Sequence, residues 1–267
     1  MRLDNKIAII IGAGQGPGTG MGNGRATAIR FVQEGATVLA VDRDRSSAQE
    51  TCGMAMKDGK GQCEAFEADV TREASMREMI AHARDKWGRI DVLHYNVGVS
   101  IAGGDAAPTE ISEEAFDRIV TINLRGMVMA VKHVLPVMRA QKSGVILGIS
   151  SIAAYEIYPY VTYKATKAAM VAYVQQLAIQ NAEHGIRANV ILPGLMDTPM
   201  AVDTRARHSG KSRAEVAAMR DSHVPLRKKM GTAWDVANAA LFLASDEAGF
   251  ITGVALPVDG GALVKIG

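Results

Sequence analysis

The sequence predicts a single α/β domain built on a mostly or fully parallel, doubly wound seven-stranded sheet with helices on both faces. Short β-branched runs alternate with longer helical stretches along the 267 residues, and the first run, Ile7–Ile11, is apolar at every position. A continuous apolar run is typical of a strand that is buried on both faces. Strand–helix alternation of this period produces right-handed crossovers and a parallel sheet that helices cover.

The elements follow one another without an internal repeat or a linker, which predicts one domain over residues 1–267. The predicted strands are residues 7–11, 37–41, 63–67, 91–95, 145–149, 187–192 and 254–258. The predicted helices are residues 24–33, 46–57, 72–87, 112–139, 161–183 and 234–244. Gly35 ends the first helix, as glycine commonly does. The exception to the regular alternation is the polar segment 195–232, whose place after the sixth strand predicts a substrate lid.

The bulk composition excludes several classes of protein. A formal net charge of +2 with 22% charged residues argues against a nucleic-acid partner, which requires a concentrated basic face. No apolar run approaches the roughly 20 residues that span a bilayer, and the first residues lack a secretory leader. The two cysteines, Cys52 and Cys63, lack metal-ligand spacing and predict neither a disulfide framework nor a zinc site. We therefore expect a cytoplasmic protein with no metal, no membrane partner and no nucleic-acid partner.

A glycine-rich turn over residues 12–24 lies between the first strand and the first helix. In this context backbone N–H groups and the helix dipole hold the pyrophosphate of a dinucleotide, so the turn predicts a Rossmann-type fold. Gly16 and Gly18 satisfy the expected glycine spacing, but so do Gly22 and Gly24. We take Gly12, Gly22 and Gly24 as the structural triplet, with Asn23 beside them and residues 15–20 as an inserted bulge.

The end of the second strand carries the predicted coenzyme selectivity. Asp42 stands 30 positions after Gly12, where about 20 is usual, and the inserted bulge accounts for the difference. A carboxylate there accepts hydrogen bonds from the adenosine ribose and repels a 2′-phosphate. Arg43 follows at once and offers that phosphate a partner. Because Asp42 is the residue at the strand end, we expect NAD rather than NADP.

Two overlapping pairs of tyrosine and lysine, four residues apart, lie in the helix predicted over residues 161–183. They are Tyr160 with Lys164 and Tyr163 with Lys167, and residues at this spacing share one face of a helix. The second pair is the better candidate, because small residues surround it and because Tyr160 follows Pro159, before the helix is established.

These features together resemble the short-chain dehydrogenase/reductase family over residues 6–261. The matching segments are the glycine-rich turn, Ala68-Asp69-Val70, Asn96-Val97-Gly98, Asn123, Ile149-Ser150-Ser151-Ile152, Tyr163-x-x-x-Lys167, Gly185-Ile186-Arg187, Pro193-Gly194 with Thr198-Pro199, and Val258-Asp259-Gly260-Gly261. No single segment is specific, but their order and spacing together are. The resemblance implies a homotetramer, with the helices that begin near residues 112 and 161 in one interface and the C-terminal strand in another.

The resemblance also implies how the catalytic residues divide the work. Tyr163 would be the general acid and base, and a nearby Lys167 ammonium would lower the pKa of the phenol from its ordinary value near 10. Lys167 would also hold the nicotinamide ribose. Ser151 would donate a hydrogen bond to the substrate oxygen, and Asn123 would position a water that links Lys167 to solvent.

The remaining matching residues would line the coenzyme cleft. Asp69 and Val70 would lie against adenine, and Asn96 and Gly98 would line the channel. Thr198 and the backbone after Pro193-Gly194 would fix the nicotinamide carboxamide.

The sequence departs from the family pattern in three places. Ile11 replaces a common threonine before the first glycine. Tyr95 replaces the first asparagine of the usual N-N-A-G, which puts in doubt a hydrogen bond that supports the fourth strand. Ser151 lies 12 positions before Tyr163, where 13 is common, so Ser150 stays an alternative to Ser151.

The activity predicted is interconversion of a secondary alcohol and a ketone with NAD(H). The alternatives are an NADP-dependent ketone or 3-oxoacyl reductase of the same family, an epimerase or dehydratase on the same scaffold, and a non-catalytic dinucleotide sensor. The basic side chains of the 195–232 segment either recognise an acidic substrate or form a solvated face, and both interpretations stay open. These residues are Arg205, Arg207, His208, Lys211 and Arg213.

Overall fold

The computed structural model describes residues 1–265, and within them seven parallel strands form one sheet. Their order across the sheet is β3-β2-β1-β4-β5-β6-β9. The strands are β1 (Ile7–Ile11), β2 (Thr37–Asp42), β3 (Gln62–Glu67), β4 (Val92–Tyr95), β5 (Gly144–Ile149), β6 (Ile186–Pro193) and β9 (Ala255–Val258). The order reverses between β1 and β4, and ligands of such sheets bind at the carboxyl ends of the strands at this point. The predicted fold class is confirmed.

Helices cover both faces of the sheet. They are α1 (Asn23–Gln33), α2 (Arg45–Asp58), α3 (Glu73–Trp87), α4 (Glu113–Val120), α5 (Gly126–Gln141), α6 (Val161–Asn181), α7 (Thr204–Ser209), α8 (Arg213–His223) and α9 (Ala233–Ala244). Strand β1 shows how the two cores divide: Ile9 and Ile11 belong to the core under α3, α5 and α6, while Ala8 and Ile10 belong to the core under α1, α2 and α9. Both faces of the central strand are buried, which explains its unbroken apolar run.

The glycine-rich turn brings the start of α1 against the end of β1. A Cβ atom on Gly24 would lie 2.0 Å from the carbonyl oxygen of Gly12, so only glycine permits this approach. Gly12 itself has φ +82°, in the left-handed region that favours glycine. The inserted bulge is held by Gln15, whose side chain accepts from the Gly22 N–H (2.7 Å) and donates to the Gly20 carbonyl (3.1 Å).

The helix predicted over residues 112–139 is present but irregular. A π-helical turn, Thr121–Arg125, separates α4 from α5, and Asn123 lies inside it. In this turn the Gly126 N–H donates to the Thr121 carbonyl, whereas an α-helix would direct it to the Ile122 carbonyl. π-turns of this kind are frequent at functional sites.

The segment 195–232 is closed at its base by a two-residue parallel ribbon that the sequence did not indicate. Its strands are β7 (Met196–Asp197) and β8 (Gly231–Thr232). Between them, α7 and α8 pack around a small apolar cluster of their own, which includes Val202 and Val216. The predicted lid is therefore a structured lobe at the carboxyl edge of the sheet.

The expectation that the cysteines stay unpaired is wrong. Cys52 on α2 and Cys63 on β3 form a disulfide, with their Cα atoms 5.1 Å apart. The chain reverses between α2 and β3, and this turn brings two residues 11 positions apart side by side. Separately, none of the helices described in residues 1–265 has the length and apolar character needed to cross a bilayer.

Candidate active site

A cavity opens at the carboxyl ends of the strands, beside the point where their order reverses. It lies between the glycine-rich turn, the ends of β4, β5 and β6, the start of α6 and the 195–232 segment. The predicted site residues that line it are Gly22, Asn23, Gly24, Asn96, Gly98, Ser151, Tyr163, Lys167, Pro193, Gly194 and Thr198. The structure therefore gathers at one cavity eleven residues that the sequence spreads over 177 positions.

Tyr163 and Lys167 share the buried face of α6. The Lys167 Nζ lies 5.6 Å from the centroid of the Tyr163 ring. Tyr160 immediately precedes the helix. Lys164 is committed elsewhere, because its Nζ donates to the backbone carbonyls of Glu156 (2.6 Å) and Ala153 (3.0 Å). The structure therefore places the Tyr163–Lys167 pair, not the Tyr160–Lys164 pair, at the cavity.

The N-terminus of α6 is held by a buried carboxylate that the sequence did not indicate. Asp105, which is 7% exposed, accepts hydrogen bonds from the backbone N–H groups of Thr162 and Tyr163, both at 3.0 Å. Ser100 donates to the same carboxylate at 3.2 Å. A carboxylate at a helix N-terminus satisfies free backbone donors and complements the helix dipole. Asp105 thus fixes the helical turn that carries Tyr163.

The Lys167 side chain lies in a close-fitting, buried position. Its Nζ donates to the Ile149 carbonyl at 2.7 Å, and the residue is 2% exposed. A Cβ atom on Gly98 would lie 3.0 Å from that nitrogen, so a larger residue opposite the lysine would push its ammonium group aside.

Asn123 connects the π-turn to the segment that follows β4. Its Nδ2 donates to the Val99 carbonyl (2.9 Å) and to the Thr166 hydroxyl (3.1 Å), while its Oδ1 accepts the Val99 N–H (2.8 Å). The side chain is fully buried and lies behind the residues that line the cavity. Asn123 therefore joins the segment opposite Lys167 to α6, the helix that carries Lys167.

Tyr95 forms a supporting hydrogen bond at the position where the sequence put such a bond in doubt. Its hydroxyl donates to the Ile122 carbonyl at 2.5 Å. That carbonyl is the one from which the π-turn diverts the Gly126 N–H. Tyr95 therefore satisfies a buried acceptor directly beside Asn123, and Gly126 is small enough to leave room for the phenol.

The two adjacent serines have different partners. The Ser150 hydroxyl donates to the Lys167 carbonyl at 2.7 Å and is buried. The Ser151 hydroxyl accepts the Ala153 N–H at 3.1 Å, which leaves its own proton free for a substrate oxygen. The geometry favours Ser151 over Ser150 as the residue that faces a substrate.

This arrangement agrees with the comparisons with known proteins. The profile of a family described as enoyl-(acyl carrier protein) reductase matches residues 18–262. The 3-oxoacyl-[acyl-carrier-protein] reductase FabG of Thermotoga maritima is 33% identical over 99% of this chain and 100% of its own length.

The chain belongs to the short-chain dehydrogenase/reductase family. Solved structures agree with this assignment. Levodione reductase superposes with a TM-score of 0.92 at 28% identity, covering 99% of this chain and 100% of that chain. The ligand-free aldohexose dehydrogenase of Thermoplasma acidophilum superposes with a TM-score of 0.84 at 29% identity, covering 99% and 96%. The chain is therefore an oxidoreductase of this family.

The electrostatics of this short-chain dehydrogenase site differ in one respect from the expectation. Burial raises the pKa of the Tyr163 phenol to about 12, while the Ser151 hydroxyl and the Arg205 charge act in the opposite direction. Burial also lowers the pKa of the Lys167 ammonium to about 7. Desolvation dominates both pKa shifts, and the expected lowering of the phenol pKa by Lys167 is not found.

The start of α1 has room for the pyrophosphate of a dinucleotide. Within the described residues no side chain caps α1, whose N-cap residue is Gly22. The backbone N–H groups of the first helical turn are thus available to an anion. A Cβ atom on Gly16 would meet no atom within 4 Å. These features fit a nicotinamide dinucleotide.

The predicted adenosine-binding residues lie at the rim, outside the cavity lining. Asp42 ends β2, and its Oδ2 accepts the Gly14 N–H at 2.9 Å. Arg43 beside it is exposed. Asp69 and Val70 follow β3, where the Asp69 carboxylate accepts from the Thr71 N–H and hydroxyl. Gly12 lies behind the cavity, where its carbonyl accepts from the Asn96 side chain at 3.0 Å.

The inserted bulge contacts the 195–232 segment. The Thr19 N–H donates to the Asp203 carboxylate at 3.1 Å, and Arg207 donates to the Pro17 carbonyl at 3.3 Å. Arg213 forms ion pairs with Asp203 and Asp197. The insertion therefore anchors the lobe over the coenzyme cleft, which gives it a structural role that the sequence left open.

The basic side chains of the 195–232 segment differ in their exposure and in their partners. Arg207, His208 and Lys211 are exposed, and Arg213 is neutralised by two aspartates, whereas Arg205 lines the cavity. A second arginine, Arg220, also lines the cavity. The sequence did not predict it as a site residue, because a lone arginine on a helix has no local pattern that marks it. Glu156 and Tyr158 also line the cavity.

Proposed function

We propose that the chain is an NAD(H)-dependent oxidoreductase that interconverts a secondary alcohol and a ketone, with Tyr163 as the general acid and base. The observation that carries the proposal is the pairing of Tyr163 and Lys167 on one face of α6, beside Ser151, at a cavity that fits a dinucleotide. The bound coenzyme supplies the hydride chemistry. The protein residues bind the substrate, orient it and move its proton.

Each residue contributes one part of the proton chemistry. The Ser151 hydroxyl donates a hydrogen bond to the substrate oxygen and holds it against Tyr163. In ketone reduction the Tyr163 hydroxyl donates its proton to that oxygen, and its raised pKa keeps it protonated for the task. In alcohol oxidation the same oxygen accepts the proton, and the positive charge of the oxidised nicotinamide, with Lys167 when it is protonated, would favour the phenolate.

Lys167 and Asn123 support the reacting tyrosine. Lys167 would hold the nicotinamide ribose from its buried position opposite Gly98. Both Nδ2 protons of Asn123 are used within the protein, and one Oδ1 lone pair remains to orient a water toward Lys167. Around the coenzyme, Asn96, Gly98, Pro193, Gly194 and Thr198 would line the nicotinamide side, and Gly12, Gly22, Asn23 and Gly24 the pyrophosphate side. Asp69 and Val70 would flank adenine.

The coenzyme preference rests on Asp42. Its carboxylate stands at the end of β2, where it meets the adenosine ribose and repels a 2′-phosphate. A second candidate, an NADP-dependent reductase of 3-oxoacyl or other ketones, is favoured by the exposed Arg43 next to it and by the name of the Thermotoga relative. We favour NAD over NADP, because the 2′-phosphate of NADP would have to approach the Asp42 carboxylate.

We also propose that the protein is a homotetramer, as the family resemblance implies. Among residues 1–265, strand β9 pairs on one side only, with β6, and Phe250 close before it is fully exposed. Both features suit an interface at this edge. Light scattering on the purified protein should give four chains per particle, and a monomer at micromolar concentration would contradict the proposal.

The general acid and base is tested by Tyr163→Phe, with Tyr160→Phe as the matched control. Reduced coenzyme is followed at pH 8 to 10 over a panel of secondary alcohols. We expect Tyr163→Phe to lower kcat by about 100-fold or more, as loss of a general acid and base does, and Tyr160→Phe to stay near wild type. Near-normal turnover by Tyr163→Phe would contradict the assignment. Tight NADH binding by the wild type without turnover on any alcohol would indicate a sensor instead.

The coenzyme preference is tested by Asp42→Ala, with Asp44→Ala as the control. Asp44 is exposed and caps α2, so its removal deletes the same charge two residues away from the ribose position. We expect the ratio of kcat/KM for NADP to that for NAD to rise roughly 10-fold or more in Asp42→Ala, equal to about 1.4 kcal/mol, and to rise less in Asp44→Ala. An equal ratio in both variants would remove Asp42 from its proposed role.

A further inference from the structure

Arg220 is a buried arginine in the 195–232 segment. The residue is 8% exposed, and its Nε is buried without a hydrogen-bond partner. Within residues 1–265 its guanidinium forms no hydrogen bond and no ion pair with another side chain or with the backbone. A buried charge without a partner costs stability. Such a group is retained at a cost and therefore suggests a partner that arrives from outside the chain.

Two other arginines of comparable burial are satisfied, whereas the half-buried Arg30 has an unpaired Nε but lies over the Trp234 ring. Arg187 donates to the carbonyls of Leu243 and Ser245, at 2.8 Å and 3.1 Å. Arg25 donates to Thr51 and pairs with Glu50. The chain thus contains well-partnered guanidinium groups at comparable burial, and Arg220 differs from them.

Arg220 lines the cavity that contains the reacting groups. It lines the same cavity as Ser151 and Tyr163, and Arg205 lines it as well. Arg205 donates to the Tyr158 hydroxyl at 3.3 Å, and the Tyr158 ring lies 5.4 Å from the Tyr163 ring. The two arginines therefore make the substrate end of the cavity positive.

One acid, Glu156, lies near this charge and interacts with it, but within the described residues the two side chains form no ion pair. Glu156 also lines the cavity, and burial raises the pKa of its carboxyl group. Burial and the charge of Arg205 lower the pKa of Arg220 to about 10, although Tyr158, Asp197 and Glu156 act in the opposite direction, so Arg220 is still a cation at neutral pH.

We propose that Arg220, with Arg205, binds an anionic oxygen group on the substrate, so that this enzyme acts on hydroxy and keto compounds that carry a carboxylate or a phosphate. Guanidinium groups bind both anions through paired, charge-assisted hydrogen bonds. The inference rests on the proposed alcohol–ketone chemistry and names the substrate class of the same site. It also explains why a short-chain dehydrogenase would keep this arginine in the cavity that contains its serine and tyrosine.

The test compares matched ketones in the NADH-dependent reduction. The carboxylate arm uses 2-oxo, 3-oxo and 4-oxo acids against their methyl esters, and the phosphate arm uses dihydroxyacetone phosphate against dihydroxyacetone. We expect the wild type to favour the anion of at least one pair by roughly 10- to 100-fold in kcat/KM, as one or two charge-assisted hydrogen bonds allow. If the enzyme prefers the anion in only one of the two arms, that arm identifies whether the substrate carries a carboxylate or a phosphate. Equal rates for every anion and its neutral partner would overturn the proposal.

Variants then attribute the preference to Arg220. In Arg220→Met the ratio of anion to neutral substrate should fall toward 1. The control is Lys211→Met, which removes the same charge from an exposed position of the same lobe and should keep the wild-type ratio. A fall of equal size for the anion and its neutral partner in Arg220→Met would mean a structural role and would overturn the proposal.

Two further measurements separate the possible failures. Arg220→Met should melt at or above the wild-type temperature, since it removes an unpaired buried charge, whereas Arg187→Met should melt lower. Isothermal titration of glutarate and of inorganic phosphate into the NADH-bound protein should detect binding that Arg220→Met loses. If no ketone turns over, the proposed function fails while the titration still tests the anion site; if ketones turn over and neither anion binds, the inference alone fails.

Discussion

The site depends on one costly placement, a lysine ammonium that is held out of water beside a partly buried phenol. Lys167 is 2% exposed and meets a backbone carbonyl of β5, with Gly98 opposite it. Burial destabilises the charged forms of Lys167 and Tyr163 alike, so neither pKa is close to its ordinary value. The rest of the fold brings this pair to the carboxyl ends of the strands, next to the pyrophosphate-binding start of α1.

Three buried polar side chains keep that placement fixed. Asp105 holds the first turn of α6, and Asn123 ties the segment after β4 to the same helix. Tyr95 satisfies the carbonyl next to Asn123 in the π-turn, which an α-helix would have paired internally. Polar networks of this kind specify one arrangement only when every member is satisfied. The chain therefore maintains an irregular helix in order to place one asparagine.

The fold was predictable because apolar runs and helical stretches alternate regularly, and local pattern determines which face each strand buries. The Tyr163–Lys167 pair was predictable because its spacing is a local property of one helix. The π-turn, the β7–β8 ribbon and the Cys52–Cys63 bond were not, since each depends on contacts between separate elements and not on a local pattern. Arg220 is the clearest case, because its proposed role rests on the absence of a hydrogen-bond partner for its guanidinium group among the described residues. The amino-acid sequence carries no signal for such an absence.

The central claim is that the Tyr163 hydroxyl is the group that gains and loses the proton, and its ionisation can be measured directly. Tyrosinate absorbance near 295 nm is followed as the pH is raised, for the wild type and for Tyr163→Phe, each with saturating NAD. The account predicts that the wild type shows one additional phenol per chain, with its pKa lowered from about 12 once the positively charged coenzyme is bound. Superimposable titration curves for the two proteins would contradict the account.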